Sequence, residues 1–402
     1  VTVGTTVTMI VLAFVMGMNN ATLTIFAQLR GLNDPEKTRS YLSTFTLILL
    51  ALSVAAGGFG YVFAKPILML LKTPATVIEP AVMFLRVQFM GVIFLAGYSY
   101  IGTVLRAFGD SKTPFYFVLL STLLAAGFGP LFMGWLNWGM VGAALVPVVA
   151  QAIGFIGLLI FLSRKYQHHK FRFSAPRLSE VRTILRLGIP SGAQMIVIHA
   201  GLTVILSLVN TLGKEAVAGF GAAQRLDNIV LLPAIALSAT VNTMAAQNIG
   251  AGKWDRVAQI TRTGNALNTT IMASISILLF TLADPLTRLF IQDEGSVEFG
   301  TTYLKTIAFF YPFLGLNFIF NAVVRSSGAM FQVLVLNIIS LWVLRVPLTH
   351  LATSLYGDRG VAMGIGVSFV ISSLFSFAYY KWGSWKDRDL FASQKEPAIQ
   401  VR

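Results

Sequence analysis

Asp227 and Arg345 are the residues with which chemistry could begin, because each places a charge inside a long apolar stretch. The stretch 220–247 holds Asp227. As a helix rising ~1.5 Å per residue it exceeds the ~30 Å hydrocarbon core, which sets Asp227 some 10 Å below its outer end. Arg345 lies in 332–355, about 15 Å below the outer end by the same rise. Charges at that depth are costly, and they pair with one another or face a polar cavity. The two are therefore expected to pair, in a role linked to a proton or a substrate. A buried structural ion pair, or an outer-rim Asp227 paired with Arg225, are the other readings.

Weaker signals surround this pair. Gln194 and His199 interrupt 187–212. Histidine titrates near neutral pH and can relay protons, or it can serve as a hydrogen-bonded residue between helices. Asn19 and Asn20 interrupt 3–28 and are expected to face the interior, since two adjacent amides facing lipid would go unsatisfied. Gln28 precedes Gly31, and Gln247 precedes Gly250. Each reads either as a gate contact or as a helix C-cap with a left-handed glycine. Phe309, Phe310, Tyr311 and Phe313 could hold a cation on their ring faces; among 31 phenylalanines, packing against core or lipid is the alternative. His168 and His169 have no carboxylate or cysteine at ligand spacing, so no metal site is expected. The chain has no cysteine, hence no disulfide or thiol chemistry. No nucleophile–base set and no phosphate loop is present, which argues against an enzyme.

Long apolar elements must position these residues. Of 402 residues, 55% are apolar and 11% charged, less than half the charge of an average soluble domain. An all-α membrane protein follows, in contact with the lipid bilayer. Eleven segments can span it: 3–28, 41–63, 81–105, 115–136, 140–162, 187–212, 220–247, 262–283, 301–323, 332–355 and 360–381. The net charge of +14 sits in short links between apolar runs, which is the pattern that orients membrane proteins and not that of nucleic-acid binding. Basic residues collect around Arg30–Arg39, Arg106–Lys112, Arg164–Arg186, Lys253–Arg262, Arg325 and the tail from Lys381, while the alternate links are poor in them. The rich side is expected to be cytoplasmic, with the C-terminus inside and residue 1 outside.

The chain also repeats at an offset of 219 residues. Ala27, Gln28 and Gly31 match Ala246, Gln247 and Gly250. Ala64 and Pro66 match Ala283 and Pro285, Glu79 matches Glu298, Arg106 matches Arg325, and Gly109 matches Gly328. Two homologous halves are expected, related as parallel repeats. The expected organisation is an N-terminal lobe at 1–162, a basic linker at 163–186, a C-terminal lobe at 187–382 and a cytoplasmic tail at 383–402. The partner of 187–212 would fall ahead of residue 1. A twelve-helix bundle of two six-helix repeats, with eleven helices in this chain, is the expectation.

Local motifs narrow the class. Ala245-Ala246-Gln247-Asn248-Ile249-Gly250-Ala251-Gly252-Lys253, Arg106-Ala107-Phe108-Gly109-Asp110-Ser111-Lys112-Thr113-Pro114, Gly139-Met140-Val141-Gly142-Ala143-Ala144-Leu145 and Arg345-Val346-Pro347-Leu348 occur in this order. Together they resemble the multidrug and toxic compound extrusion (MATE) family over essentially the whole chain. The resemblance implies an efflux protein of the cell membrane that exchanges H⁺ or Na⁺ for small organic cations or drugs by alternating access. It implies no cofactor beyond the coupling ion, and a single chain is expected to act as a monomer. Acidic residues that some members carry in the seventh and tenth helices have no counterpart in 187–212 or 301–323, and Ala125-Ala126-Gly127-Phe128-Gly129-Pro130 lacks the polar groups others use in the fifth. The resemblance therefore does not locate the ion site. A lipid-linked oligosaccharide flippase of the same superfamily would share the topology but should carry a strongly cationic cavity. A non-transporting membrane scaffold would have no use for charges at membrane depth.

Overall fold

The computed structural model describes residues 2–70, 73–165, 175–388 and 390–391; His168, His169 and most of the expected tail lie outside them. Helices α1 (Thr2–Leu32), α2 (Pro35–Leu70) and α3 (Ala75–Ala107) come first. Helix α4 (Lys112–Gly129) runs on through a π-helical turn, Pro130–Trp135, and α5 (Gly139–Lys165) follows. Then come α6 (Leu178–Asn210), α7 (Lys214–Gly250) and α8 (Trp254–Arg288). Helices α9 (Glu294–Ala308) and α10 (Tyr311–Ser326) form one rod bent by 55°. Helix α11 (Met330–Ile338), a π-helical stretch Ile339–Arg345 and α12 (Val346–Tyr356) form another, and α13 (Asp358–Trp382) is the last.

Among the described residues, nine helices are individually long and apolar enough to cross a membrane, and the bent pair makes a tenth. With the 31-residue α1 these are the eleven rods expected from hydropathy. No strand is present among them. A spanning chain must satisfy its backbone within each segment, and helices do so.

Proline placement separates straight rods from interrupted ones. Pro147, Pro190 and Pro233 sit inside unbroken helices. Pro130 opens the π turn after α4, Pro312 stands in the first turn of α10, and Pro347 in the first turn of α12. Lacking an N–H and fixed near φ −65°, proline fits a first turn and ends what precedes it.

The 219-residue offset is built into these boundaries. It carries Pro35 onto Trp254, Ala75 onto Glu294, Ala107 onto Ser326 and Gly139 onto Asp358, so α2, α3 and α5 share starts with α8, α9 and α13. The turns repeat too: Gly109 and Gly328 have φ of 92° and 88°, and Asn33 and Gly252 have 54° and 72°. This corrects one expectation. Gly31 and Gly250 stay helical, and the left-handed residue comes two positions later in each half. Helix α1 runs one residue past Gly31 and α7 includes Gly250 as its last residue, because Gly in a last turn costs only ~1 kcal/mol, whereas the reversal that follows requires positive φ.

The chain divides into two compact units, Val1–Gly192 and Ala193–Arg402, and the division falls inside α6. The first turns of α6 thus belong with α1 and α2. Gly17 on α1 packs directly against the backbone of Ser191 and Gly192, where any Cβ would clash. The first unit also stacks Phe45 on Tyr100, with ring centroids 5.0 Å apart. The core of the second unit joins α7, α8, α9, α10 and α13 through residues such as Phe220, Met272, Leu304 and Val361, all nearly or fully buried.

Candidate functional site in the second unit

Helix α7 presents Asp227 toward the bent rod. The Tyr303 hydroxyl, on α9, donates to Asp227 Oδ2 at 3.2 Å. The Tyr311 hydroxyl, the first residue of α10, donates to Oδ1. One carboxylate therefore takes a hydroxyl from each side of the bend. Both tyrosines are nearly fully buried, and Tyr303 packs edge-on against Phe220 of α7, with centroids 5.2 Å apart. The cost of a charge at membrane depth is about 2.5–3.5 kcal/mol on insertion scales. Hydrogen bonds to a charged group contribute about 1.5–3 kcal/mol each. The two hydroxyl donors thus offset part of the cost of an ionised Asp227.

Arg345 is not its partner. The guanidinium Nε donates to Ser368 Oγ at 3.1 Å, and its carbon lies 4.8 Å from the Phe369 ring centroid. Ser368 donates its own hydroxyl to the Ile365 carbonyl at 2.6 Å, which fixes its oxygen as an acceptor. No ion pair of Arg345 forms among the described residues. The expected Asp227–Arg345 pair is therefore corrected: depth along two helices gives matching heights but says nothing of the azimuth at which each side chain leaves its axis. Arg225 does not pair with Asp227 either; its guanidinium lies 5.9 Å from the Phe290 ring.

The remaining expected residues scatter. Gln194 is buried and its Oε1 has no hydrogen-bond partner. His199 is exposed, with its carbonyl accepting from Thr203. Neither reaches Asp227. Asn19 and Asn20 are half-buried in the first unit, and Asn20 Nδ2 is unpartnered. Gln28 is buried, while Gln247 is half-buried. Arg106 closes α3 and donates to Thr103 Oγ1 at 2.7 Å; Arg325 occupies the matching place at the end of α10. The aromatic run does not form one face. Phe309 is exposed and meets Phe280, whereas Tyr311 turns inward to Asp227. The bend between Ala308 and Tyr311 separates them.

Sequence reasoning missed several groups around these residues. Tyr303, Ser368 and Phe369 are the first. A second is the buried set in which Asn321 Nδ2 donates to Asn317 Oδ1 at 2.7 Å and Asn317 Nδ2 to Ser376 Oγ at 3.1 Å. A third is Glu180, which is buried and accepts from Ser40 at 2.6 Å and from Thr44. An acid standing among basic residues at the start of α6 was the available signal for Glu180, and Pro312 beside Tyr311 was the signal for the bend. No group of three or more metal-ligating side chains occurs among the described residues.

Known proteins share this fold. The family described as MatE matches residues 1–131 and 190–351. The chain belongs to the MatE family. It is 45% identical over 395 residues to the Probable multidrug resistance protein YpnP of Bacillus subtilis, covering 98% of this chain and 88% of that one. It is 23% identical to a FAD transporter of Shewanella oneidensis, over 92% of this chain and 83% of that one. A crystal structure of the Vibrio cholerae MATE transporter VcmN in the bent form shares its fold, with a TM-score of 0.90 at 17% identity over 97% of this chain and 89% of that one. The MatE chain described here is thus an integral membrane protein of a multidrug efflux family and not an enzyme.

Proposed function

We propose that this MatE chain is a secondary active efflux transporter that exchanges H⁺ or Na⁺ for organic cations or drugs, with Asp227 as the coupling acid. The observation that carries this reading is the carboxylate itself. It lies within a membrane span, bound by two neutral hydroxyls and by no fixed cation. A carboxylate neutralised by arginine has little reason to bind a further positive charge. One held only by hydroxyls can take a proton, a Na⁺ or a cationic substrate in turn, and intramembrane acids mark such pathways. We place the basic links and the C-terminus in the cytoplasm, because Lys and Arg collect there. The two homologous halves serve as the moving lobes, joined by the linker around 163–186, and one chain suffices.

The test is dye efflux by the full-length protein in proteoliposomes, with H⁺ and Na⁺ gradients imposed separately. Cationic dye should move against its gradient when one of the two is present, and Asp227→Asn should remove that dependence. Dye movement that ignores both gradients, or an Asp227→Asn protein that remains fully coupled, would refute the assignment.

A further inference from the structure

Arg345 is built as a receptor and not as an ion-pair partner. It ends a π-helical stretch, Ile339–Arg345, two residues before Pro347. Such insertions re-aim side chains and concentrate at functional positions. Two contacts then fix the guanidinium. Its Nε is bound to Ser368, whose hydroxyl is already committed to the Ile365 carbonyl. Its face lies over Phe369, a buried member of the core. Both contacts use the inner edge and the flat face. The outer edge, with four N–H donors on Nη1 and Nη2, has no protein acceptor among the described residues, and the side chain is only half-buried. The acid at similar depth, Asp227, is occupied by Tyr303 and Tyr311.

A planar cation held by one edge and one face, with its fork free, matches a two-oxygen anion. We infer that Arg345 is an oxyanion-binding subsite, and that the transported compounds include molecules bearing a carboxylate or phosphate besides any cationic group. This rests on the efflux reading, and it deepens it by naming a second recognition element. Asp227 attracts the cationic portion of a substrate and Arg345 the anionic portion, so zwitterionic organic compounds fit the pair better than simple cations. Charges at membrane depth are costly, and those that are kept mark substrate or ion pathways.

The probes are a zwitterionic xanthene dye with a free carboxylate and the methyl ester of the same dye, which differ only at the oxyanion. Binding to the purified full-length protein is read by fluorescence anisotropy in phosphatidylcholine nanodiscs, and export is read separately in proteoliposomes. The wild type should bind the free acid more tightly than the ester. Arg345→Gln should weaken the acid roughly tenfold and leave the ester unchanged, the loss expected for one charge-assisted contact. Arg345→Lys, which keeps the charge but loses the fork, should fall between them. Retained ester binding shows that the variants fold. Should Arg345→Gln be too unstable to purify, Arg345→Lys alone decides: unchanged acid binding overturns the inference. Equal wild-type binding of acid and ester also overturns it. So does competition by nanodiscs containing phosphatidylglycerol, which would assign the oxyanion to a lipid headgroup instead of a substrate. Intact binding without export would sink the efflux reading and leave this one standing.

Discussion

The two halves of the chain share their helix boundaries but not their interiors. Subtracting 219 from several polar residues of the second half shows the contrast. Tyr303 and Tyr311 become Phe84 and Val92, and Arg345 becomes Ala126. Ser368 and Ser376 become Val149 and Gly157; Asn317, Asn321 and Asn268 become Tyr98, Gly102 and Leu49. The rods, the caps and the left-handed turns need only small or apolar residues at fixed spacing, so duplication preserves them easily. The buried polar groups obey no such spacing. One half kept a scaffold that is largely apolar, while the other carries an acid, a free guanidinium fork and an amide network. The chemistry in the described residues is thus concentrated in one of two nearly repeated frameworks.

Breaking the second half at its acid should have the largest effect. Asp227→Asn should abolish ion-coupled dye efflux, at least tenfold below wild type in vesicles, while Glu180→Gln in the first unit should leave coupling intact. Equal losses in both variants would erase the distinction between the halves. Next come the tyrosines. Tyr303→Phe and Tyr311→Phe each remove one hydroxyl donor from the carboxylate, and each should lower efflux several-fold. The double variant should fall further than either alone, because a charged acceptor loses about 1.5–3 kcal/mol per donor.

Stability comparisons sharpen the same contrast. Gly109 and Gly328 share a left-handed backbone, but only Gly328 is crowded, its missing Cβ facing Leu390. Alanine at either should cost about 1–2 kcal/mol for the conformation. Thermal melting should place Gly328→Ala below Gly109→Ala. Equal melting temperatures would show that Leu390 moves freely. Asn268 is fully buried against Gly315, and neither of its side-chain polar atoms is bonded among the described residues, where the other half has Leu49. Asn268→Leu should raise stability by about 1–3 kcal/mol, the penalty of an unsatisfied buried group. A lower melting temperature would reveal a polar partner in the native protein.

The smallest expected effect is at a cap. Asp293 begins α9 and accepts from the Ser296 backbone N–H at 3.0 Å, whereas its counterpart Pro74 offers α3 no side-chain cap. The Ser296 hydrogen bonds hold the Asp293 carboxyl below its ordinary value. A lowered folded-state pKa means stability present above the unfolded value near 3.8 and lost as pH falls through the folded one. Asp293→Ala should therefore lower the melting temperature slightly at neutral pH, and by progressively less as the pH falls below about 3.8. Asp293→Asn should change little, since asparagine also caps. A pH-independent loss would mean that the carboxylate charge is irrelevant.

Most of the fold was legible because its signals are one-dimensional. Apolar runs of about 20 residues need no contacts to be read, and a repeat needs only an offset. The site was half legible. Asp227 and Arg345 stood out as charges within spans, yet their partners did not. Tyr303 and Tyr311 lie on opposite sides of a break that hydropathy across 301–323 does not reveal. Tyr311 was hidden among phenylalanines, and Ser368 looked like one small residue among several on α13. The Gln–Gly pairs misled in the other direction, since the glycine that draws the eye is not the residue that reverses the chain.

The 55° joint between α9 and α10 has a mechanical side. Asp227 grips the last turns of one arm through Tyr303 and the first residue of the other through Tyr311, so it acts as a clasp across an elbow. The 16-residue α10 is an arm of about 24 Å, and opening the elbow by about 5° swings its far end by about 2 Å. A single carboxylate near the pivot is thereby geared to a displacement the size of a side-chain contact at the opposite end of the arm, where Arg325 closes the helix.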